Sequence, residues 1–171
     1  MSDVPELQRL TTSYSATQDR IRLAGEVSHQ QRMILWLTQR LLNRLIAHLS
    51  QWLLQHTGTE HGHTPLVQAF EQQVAAASLV PQAPVLPAQD SPEYLVESID
   101  IGTNSAVLTL LLKNAGNQPL ARLKLTPLAL RQWLDIVHAG YVQADWPMDV
   151  WPEWIHAAHP PATAAHSGVL H

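Results

Sequence analysis

Residues 32–56, RMILWLTQRLLNRLIAHLSQWLLQH, change from one structural period to another at Thr38. Up to Leu37 the segment consists of residues that suit a pleated strand. After Thr38 the leucines recur at i, i+3, i+4 and i+7 spacing, which predicts an amphipathic helix with one apolar stripe. Thr38 stands at the expected N-cap, because its hydroxyl can accept an unpaired amide proton of the first turn. This stretch therefore predicts a strand that runs directly into a capped helix.

The same arrangement occurs a second time along the chain. Residues 120–142, LARLKLTPLALRQWLDIVHAGYV, again place a strand pattern before a threonine and an amphipathic helix, here with Pro127 at the first helical position. Thr126 follows Thr38 by 88 positions. At this offset the following apolar residues align: Leu35 with Leu123, Leu37 with Leu125, Leu42 with Leu130, Leu45 with Trp133, Ile46 with Leu134, and Leu49 with Val137. The match predicts an internal duplication, although any strand, cap and helix in this order would align similarly, so both explanations stay open.

Other segments complete the predicted fold. Residues 19–27 alternate charged and apolar side chains, as a half-buried strand does, and residues 93–126 have the pattern of a three-stranded meander. Thr64 and Pro65 predict the start of a further helix, whose apolar stripe consists of Leu66, Val67, Phe70 and Val74. We therefore predict an α+β fold: a mostly antiparallel sheet of about five strands, two or three helices packed on one face, and a duplicated strand-strand-helix unit.

The distribution of prolines indicates how the chain is divided. Four prolines in residues 80–92 predict an extended linker with polyproline character. The linker separates a first half, residues 1–79, from a second meander and helix, residues 93–144. Residues 145–171 form a tail rich in Trp, Pro and His. We expect all these parts to belong to one compact domain.

Strand alternation assigns side chains to the two faces of the predicted sheet. The helix-facing set is expected to be Met33, Leu35, Leu37, Ala121, Leu123 and Leu125. The opposite face then carries Ile34 and Trp36 in one half, Arg122 and Lys124 in the other, and Arg20 and Arg22 beside them. Large apolar groups on such a face are typical of a surface that a partner or another segment covers.

The tail contains a segment suited to such covering. Residues 144–161, ADWPMDVWPEWIHAAHPP, include Trp146, Trp151 and Trp154, and two of these three are followed by proline. A proline-interrupted segment cannot continue a helix, but it can lie extended on a surface. We expect the tail to pack over Trp36, or over the helix ends, and to complete the core. The alternative is that some of these indoles stay exposed and dock another protein, since Trp and Arg anchor interfaces.

Composition excludes several classes of function. The formal net charge of −4 gives no general attraction to nucleic acid or anionic membranes. The chain has no cysteine, which excludes disulfides, cysteine zinc sites, iron–sulfur ligation and thiol chemistry. The first residues lack the pattern of a signal peptide, and no apolar run approaches the ~20 residues of a membrane span. We expect a soluble, cytoplasmic protein without a cofactor.

The histidines and the basic residues offer two weaker candidate sites. His61 and His63 in one loop, and His156 and His159 in the tail, are the residue types that bind zinc or nickel. A polar loop and a polar chain end explain them more simply. Arg20, Arg22, Arg122 and Lys124 beside Trp36 have the composition of a platform for single-stranded nucleic acid, although a solvated sheet face explains them more simply.

The sequence therefore favours a protein that binds rather than one that catalyses. No phosphate-binding loop, nucleophile elbow or paired catalytic carboxylates are present as motifs. We predict a non-catalytic accessory, adaptor or assembly protein that binds a protein partner or a second copy of itself. The binding residues are expected to be Trp36, Arg20, Arg22, Trp146, Trp151 and Trp154. One alternative is a regulatory domain that binds an anionic ligand or nucleic acid on the basic face, and another is a metal-dependent enzyme that uses the histidines.

Overall fold

The computed structural model of the chain describes residues 3–28, 31–56 and 65–159. Within these ranges the elements, in chain order, are β1 (Arg9–Ser15), β2 (Arg20–Glu26), β3 (Arg32–Leu37), α1 (Gln39–Gln55), α2 (Pro65–Ala77), β4 (Glu93–Leu95), β5 (Ser98–Thr103), β6 (Leu108–Lys113), β7 (Pro119–Leu125), α3 (Pro127–Ala144) and α4 (Glu153–Ala158).

The strands form two sheets, and the fold is of the α+β class, as predicted. One sheet has the order β1-β2-β3-β4 and the other has the order β5-β6-β7. All neighbouring strands pair antiparallel except β3 and β4, which are parallel. The predicted numbers of about five strands and two or three helices were too low, because the described residues contain seven strands and four helices.

The order of elements is repeated along the chain, and the repeated unit is larger than predicted. Strands β1, β2 and β3 followed by α1 have the same order and pairing as β5, β6 and β7 followed by α3. The sequence prediction missed β1 and so gave the first half only a hairpin. Strand β1, RLTTSYS, contains mostly small polar residues, and its side chains are half-buried or exposed, so its apolar alternation is weak.

Residues that align at the offset of 88 positions are also alike in their burial. All six aligned pairs of apolar residues are buried at both positions, with no side chain more than 7% exposed. The six residues predicted to face the helices are likewise all buried in one core cluster with the apolar faces of α1 and α3. The predicted caps are also confirmed, because the Thr38 and Thr126 hydroxyls accept hydrogen bonds from the amides of Leu41 and Ala129, each across 3.2 Å.

Backbone hydrogen bonds join the two sheets at both of their edges. The Leu7 amide donates to the Arg122 carbonyl across 2.9 Å, which links the segment before β1 to β7. At the other edge, the Val96 amide donates to Trp36 in β3 and the Glu97 amide donates to Lys113 in β6. Each unit therefore begins with a short segment that pairs with the last strand of the other unit.

The helices α1 and α3 contact each other inside this arrangement. The Tyr141 hydroxyl of α3 donates to Asn43 Oδ1 of α1 across 2.6 Å. Burial raises the pKa of Tyr141 above its ordinary value, so the phenol remains the donor. A glycine permits close approach to the sheet, because a Cβ at Gly140 would lie 2.7 Å from Ile21 Cδ1. The two amphipathic helices are therefore fixed against one shared core.

The proline segment, residues 80–92, is extended as far as Ala88, makes a turn there that Ser91 closes, and crosses the outer face of the first sheet. Its path is fixed by the Val85 amide, which donates to Thr11 Oγ1 across 2.8 Å, and by Arg32, which donates to the Leu86 carbonyl. Val85 is only 3% exposed, whereas most of its neighbours in the segment are exposed. The segment follows the sheet row of Ala24 and Ile34, which explains why Ile34 is only 8% exposed on a face predicted to be open.

Candidate interaction surface

The tryptophans of the tail lie in the core. Trp146, Trp151 and Trp154 are 7%, 4% and 5% exposed. The Trp146 indole N–H donates to Asp19 Oδ1 across 2.9 Å, and its ring meets the Tyr141 ring edge-on at 5.0 Å. This confirms the expectation that the tail completes the core over the helices.

Of the two expected placements, over Trp36 or over the helix ends, the described part of the tail takes the second, because it packs on α3. Trp151 packs edge-on against Tyr141 and His138 of α3, and Trp154 lies under the guanidinium of Arg131, with its ring centroid 5.4 Å from Arg131 Cζ. A buried ring gains most where other rings and apolar atoms surround it, and α3 provides these around the tail. In this conformation the three indoles contact the chain's own residues and are not available at its surface.

Three histidine rings meet where the tail returns to α3. His138 stacks on His159 with centroids 4.6 Å apart, and its ring lies 5.7 Å from that of His156. His159 Nε2 lies 2.5 Å from Asp135 Oδ1. Burial, together with the charges of His159 and His156, lowers the pKa of His138 to about 4. His138 is therefore neutral at neutral pH.

The metal-site alternative finds no geometric support in the described residues. Among residues 3–28, 31–56 and 65–159, no group of three or more His, Asp or Glu side chains could hold a metal ion. The predicted ligands His156 and His159 do come together, but each meets the ring of His138, one edge-on and the other stacked. The other two, His61 and His63, lie outside the described residues, as does the predicted cap Thr64.

The helix α2 packs on the protein with its polar face inward. Gln68 and Gln72 are fully buried, together with Ala69 and Ala75. Arg131 of α3 donates to Gln68 Oε1 across 2.6 Å, and Gln72 Nε2 donates to the Arg131 carbonyl across 2.8 Å. A buried guanidinium must be hydrogen-bonded, and Gln68 supplies an acceptor for it, while Gln72 binds the backbone of the same residue. The orientation of α2 therefore follows from Arg131.

The apolar residues of α2 face away from the protein as a consequence. Leu66 is 80% exposed, Phe70 62% and Val74 47%. We call these three residues the α2 stripe. The sequence analysis identified these residues, together with the half-buried Val67, as the apolar stripe of the helix. The signal for this orientation was the second set at helical spacing, Gln68, Gln72 and the small residues between them.

The uncovered part of the first sheet's outer face is basic with one indole. Arg22 and Trp36 are direct cross-strand partners in β2 and β3, and Arg20 lies two residues from Arg22 on the same face. All three side chains are half-buried, and the Trp36 indole N–H donates to Glu93 Oε1 across 3.2 Å. In the part of the chain that the structure describes, neither Arg20 nor Arg22 forms an ion pair. The structure thus brings these three predicted binding residues together on the sheet face, whereas the three predicted indoles of the tail lie in the core.

Comparison with family models, with curated proteins and with solved structures finds no match for this chain. Among the described residues, no helix has the length and apolar character that crossing a membrane requires.

Proposed function

We propose that the chain is a non-catalytic accessory or adaptor protein that acts by binding another protein. The observation that carries the proposal is the α2 stripe. Leu66, Phe70 and Val74 lie exposed on one face of a helix whose glutamines are buried. Contiguous apolar surface of this kind is typical of protein interaction sites.

The energetics of α2 support this proposal. Burial of one Leu, Phe or Val side chain stabilises a protein by about 1.5–3 kcal/mol, so an exposed stripe leaves a favourable contribution unused in the isolated chain. The stripe is also held in place, because the buried contacts of Gln68 and Gln72 with Arg131 prevent α2 from rolling over to bury it. A partner that covers the stripe would gain this burial without any rearrangement of the helix.

The six residues that the sequence predicted as partner contacts divide into two groups, one at the surface and one buried. Trp36, Arg20 and Arg22 reach the surface and remain proposed contacts on the sheet face. Trp146, Trp151 and Trp154 act from the interior, since they hold α3 and the chain that follows it. The α2 stripe takes the place of the tail as the main proposed docking surface. A cytoplasmic location belongs to the same proposal and is tested by fractionation of the host cell.

The experiment is a comparison of three forms of the full chain: wild type, Phe70→Glu and Val142→Glu. Val142 is 62% exposed on α3, the same exposure as Phe70, but it lies outside the stripe, so it is the matched control. We expect a protein from the native host to co-purify at fixed stoichiometry with wild type and Val142→Glu but not with Phe70→Glu. The complex should then form again from the two purified components. Equal behaviour of all three forms would contradict the proposal.

A second candidate function is binding of an anionic ligand or nucleic acid on the sheet face. The observation in its favour is that Arg20 and Arg22 lack ion pairs in the described structure and flank Trp36, whose ring could stack on a base. The test is fluorescence anisotropy of a labelled single-stranded oligonucleotide with wild type and Arg22→Ala. Binding that weakens in Arg22→Ala and falls with added salt would support this candidate. No binding at low salt would exclude it.

A further inference from the structure

The α2 stripe is symmetric about its central residue. Leu66 and Val74 lie four residues before and after Phe70, and a spacing of four residues keeps all three side chains on one face of a helix. A two-fold axis through Phe70 and perpendicular to α2 would place Leu66 of one copy against Val74 of the other. Phe70 would then meet Phe70 of the second copy. The stripe is therefore complementary to itself in the antiparallel orientation, as an isologous interface requires.

The charge on α2 favours the same partner. Glu71 is the only ionisable side chain among its 13 residues. It is exposed beside the stripe, and the stripe itself presents no charge that a partner would have to neutralise. The cores of interfaces between identical subunits have this composition, since they are depleted of charged residues and more apolar than the surrounding surface.

The available area suits a small interface. At about 25 cal/mol per Å², the free energy gained by fully burying a large apolar side chain corresponds to roughly 60–120 Å² of buried surface. The three exposed side chains of the α2 stripe give an apolar centre of roughly 170 Å² per copy. Because interfaces are only about 56–58% apolar, the total interface would be about 600 Å², which is below the area of a stable complex and in the range of weak, transient ones.

We propose that two copies of this chain associate through α2, antiparallel about a two-fold axis at Phe70. The proposal rests on the proposed function of protein binding and names the partner as a second copy. The small area makes the dimer weak, so association depends on concentration. Glu71 of each copy stands near the axis, and the repulsion between the two carboxylates weakens the dimer further at low ionic strength.

Sedimentation equilibrium of the purified full chain tests the association. We expect wild type and Val142→Glu to pass from monomer to dimer as concentration rises, and Phe70→Glu to weaken the dimer at least about 30-fold, as loss of a central anchor does. Glu71→Gln should strengthen the dimer about twofold, as the removal of a like-charge pair does. If the partner were instead a basic protein, Glu71→Gln would weaken the binding. Wild type that remains monomeric at about 1 mM would overturn the proposal.

Cross-linking tests the antiparallel register, and the absence of cysteine in the chain makes single-cysteine variants specific. With a short bismaleimide, Phe70→Cys should cross-link to itself, and a mixture of Leu66→Cys with Val74→Cys should give the mixed product. Leu66→Cys alone should react poorly, because the two positions in a dimer would be about 12 Å apart along the helix axis. Efficient cross-linking of Leu66→Cys to itself would overturn the antiparallel arrangement.

The two proposals fail in different ways. A monomeric chain that binds a host protein through Phe70 would overturn the dimer and leave the proposed binding function supported. A chain that forms no dimer and binds no host protein through Phe70 would overturn both.

Discussion

Arg131 of α3 donates a hydrogen bond to Gln68 of α2 across 2.6 Å, and neither side chain is more than 5% exposed. Burial lowers the pKa of Arg131, and the nearby charge of Glu71 opposes this effect. An arginine remains charged in proteins even so, and a buried charge without hydrogen bonds costs several kcal/mol. This contact therefore determines which face of α2 is buried, and through it which face is exposed.

The first prediction concerns this contact. Gln68→Ala removes an acceptor from a buried guanidinium, and we expect it to lower the free energy of unfolding by about 2–3 kcal/mol in urea denaturation. The control is Gln73→Ala, an exposed glutamine of the same helix, which should change stability by less than about 0.5 kcal/mol. The double variant Gln68→Leu with Arg131→Met should recover most of the loss, because it removes both polar partners. Equal effects of Gln68→Ala and Gln73→Ala would contradict this account.

The same contact marks a limit of sequence-based prediction. Caps and helical period are local properties, so Thr38, Thr126 and the buried faces of α1 and α3 could be predicted correctly. The buried face of α2 could not, because it depends on Arg131, which is 63 residues away from Gln68 along the chain. The apolar pattern of α2 does not by itself show which side packs, and it is the buried guanidinium of Arg131 that requires a glutamine to face it.

The sheet was predicted only in part for a related reason. The alternation in β3 and β7 identified the core residues, but β1 was missed because its polar side chains gain their partners from other elements. Thr12, for example, accepts a hydrogen bond from Trp133, which lies 121 residues away. The covering of Ile34 by the proline segment likewise depends on a distant contact, between Val85 and Thr11.

A second prediction concerns the tail. We expect Trp151→Ala and Trp154→Ala each to lower the free energy of unfolding by about 3–5 kcal/mol, the range for removal of a buried aromatic side chain. Trp36→Ala is the matched control, since Trp36 is half-exposed and should cost distinctly less. Thermal and urea unfolding measure the stability of the two tail variants and of the control. A tail variant that unfolds like wild type would show that these indoles do not hold the fold together.

A third prediction concerns the proline segment. Val85 is its one buried valine, and Val85→Ala should destabilise the protein by about 1–2 kcal/mol, because it leaves a gap over the first sheet. Val80→Ala makes the same chemical change in the same segment at a position that is 73% exposed, so its effect should stay within about 0.5 kcal/mol. Limited proteolysis gives an independent measurement, since Val85→Ala should be cut in residues 80–92 faster than wild type. The same rate of cleavage in both variants would show that Val85 does not anchor the segment.

The last prediction concerns the histidine cluster at the contact of α3 with the tail. His138 is 6% exposed, and its Nε2 atom is buried without a hydrogen-bond partner. Burial lowers its pKa in the folded protein to about 4, and His159 and His156 add to this effect. The titratable groups in contact with this cluster are these two histidines of the tail and Asp135 of α3, which lies against His159.

The pH dependence follows from the difference between the folded and unfolded states. In the unfolded chain His138 takes up a proton near its ordinary pKa of 6.5, whereas in the folded protein it does so only near 4. Between these values the unfolded state binds more protons, so stability falls as the pH falls from about 6.5 to about 4, by an amount on the order of 3 kcal/mol. Above pH 6.5 this contribution is constant.

His138→Phe keeps a ring against Trp151 but cannot take up a proton, so it should remove this part of the acid destabilisation. His48→Phe, at an exposed position of α1, should leave the profile unchanged. Urea unfolding between pH 7 and pH 4 measures the difference, and parallel profiles for wild type and His138→Phe would rule out His138 as its source.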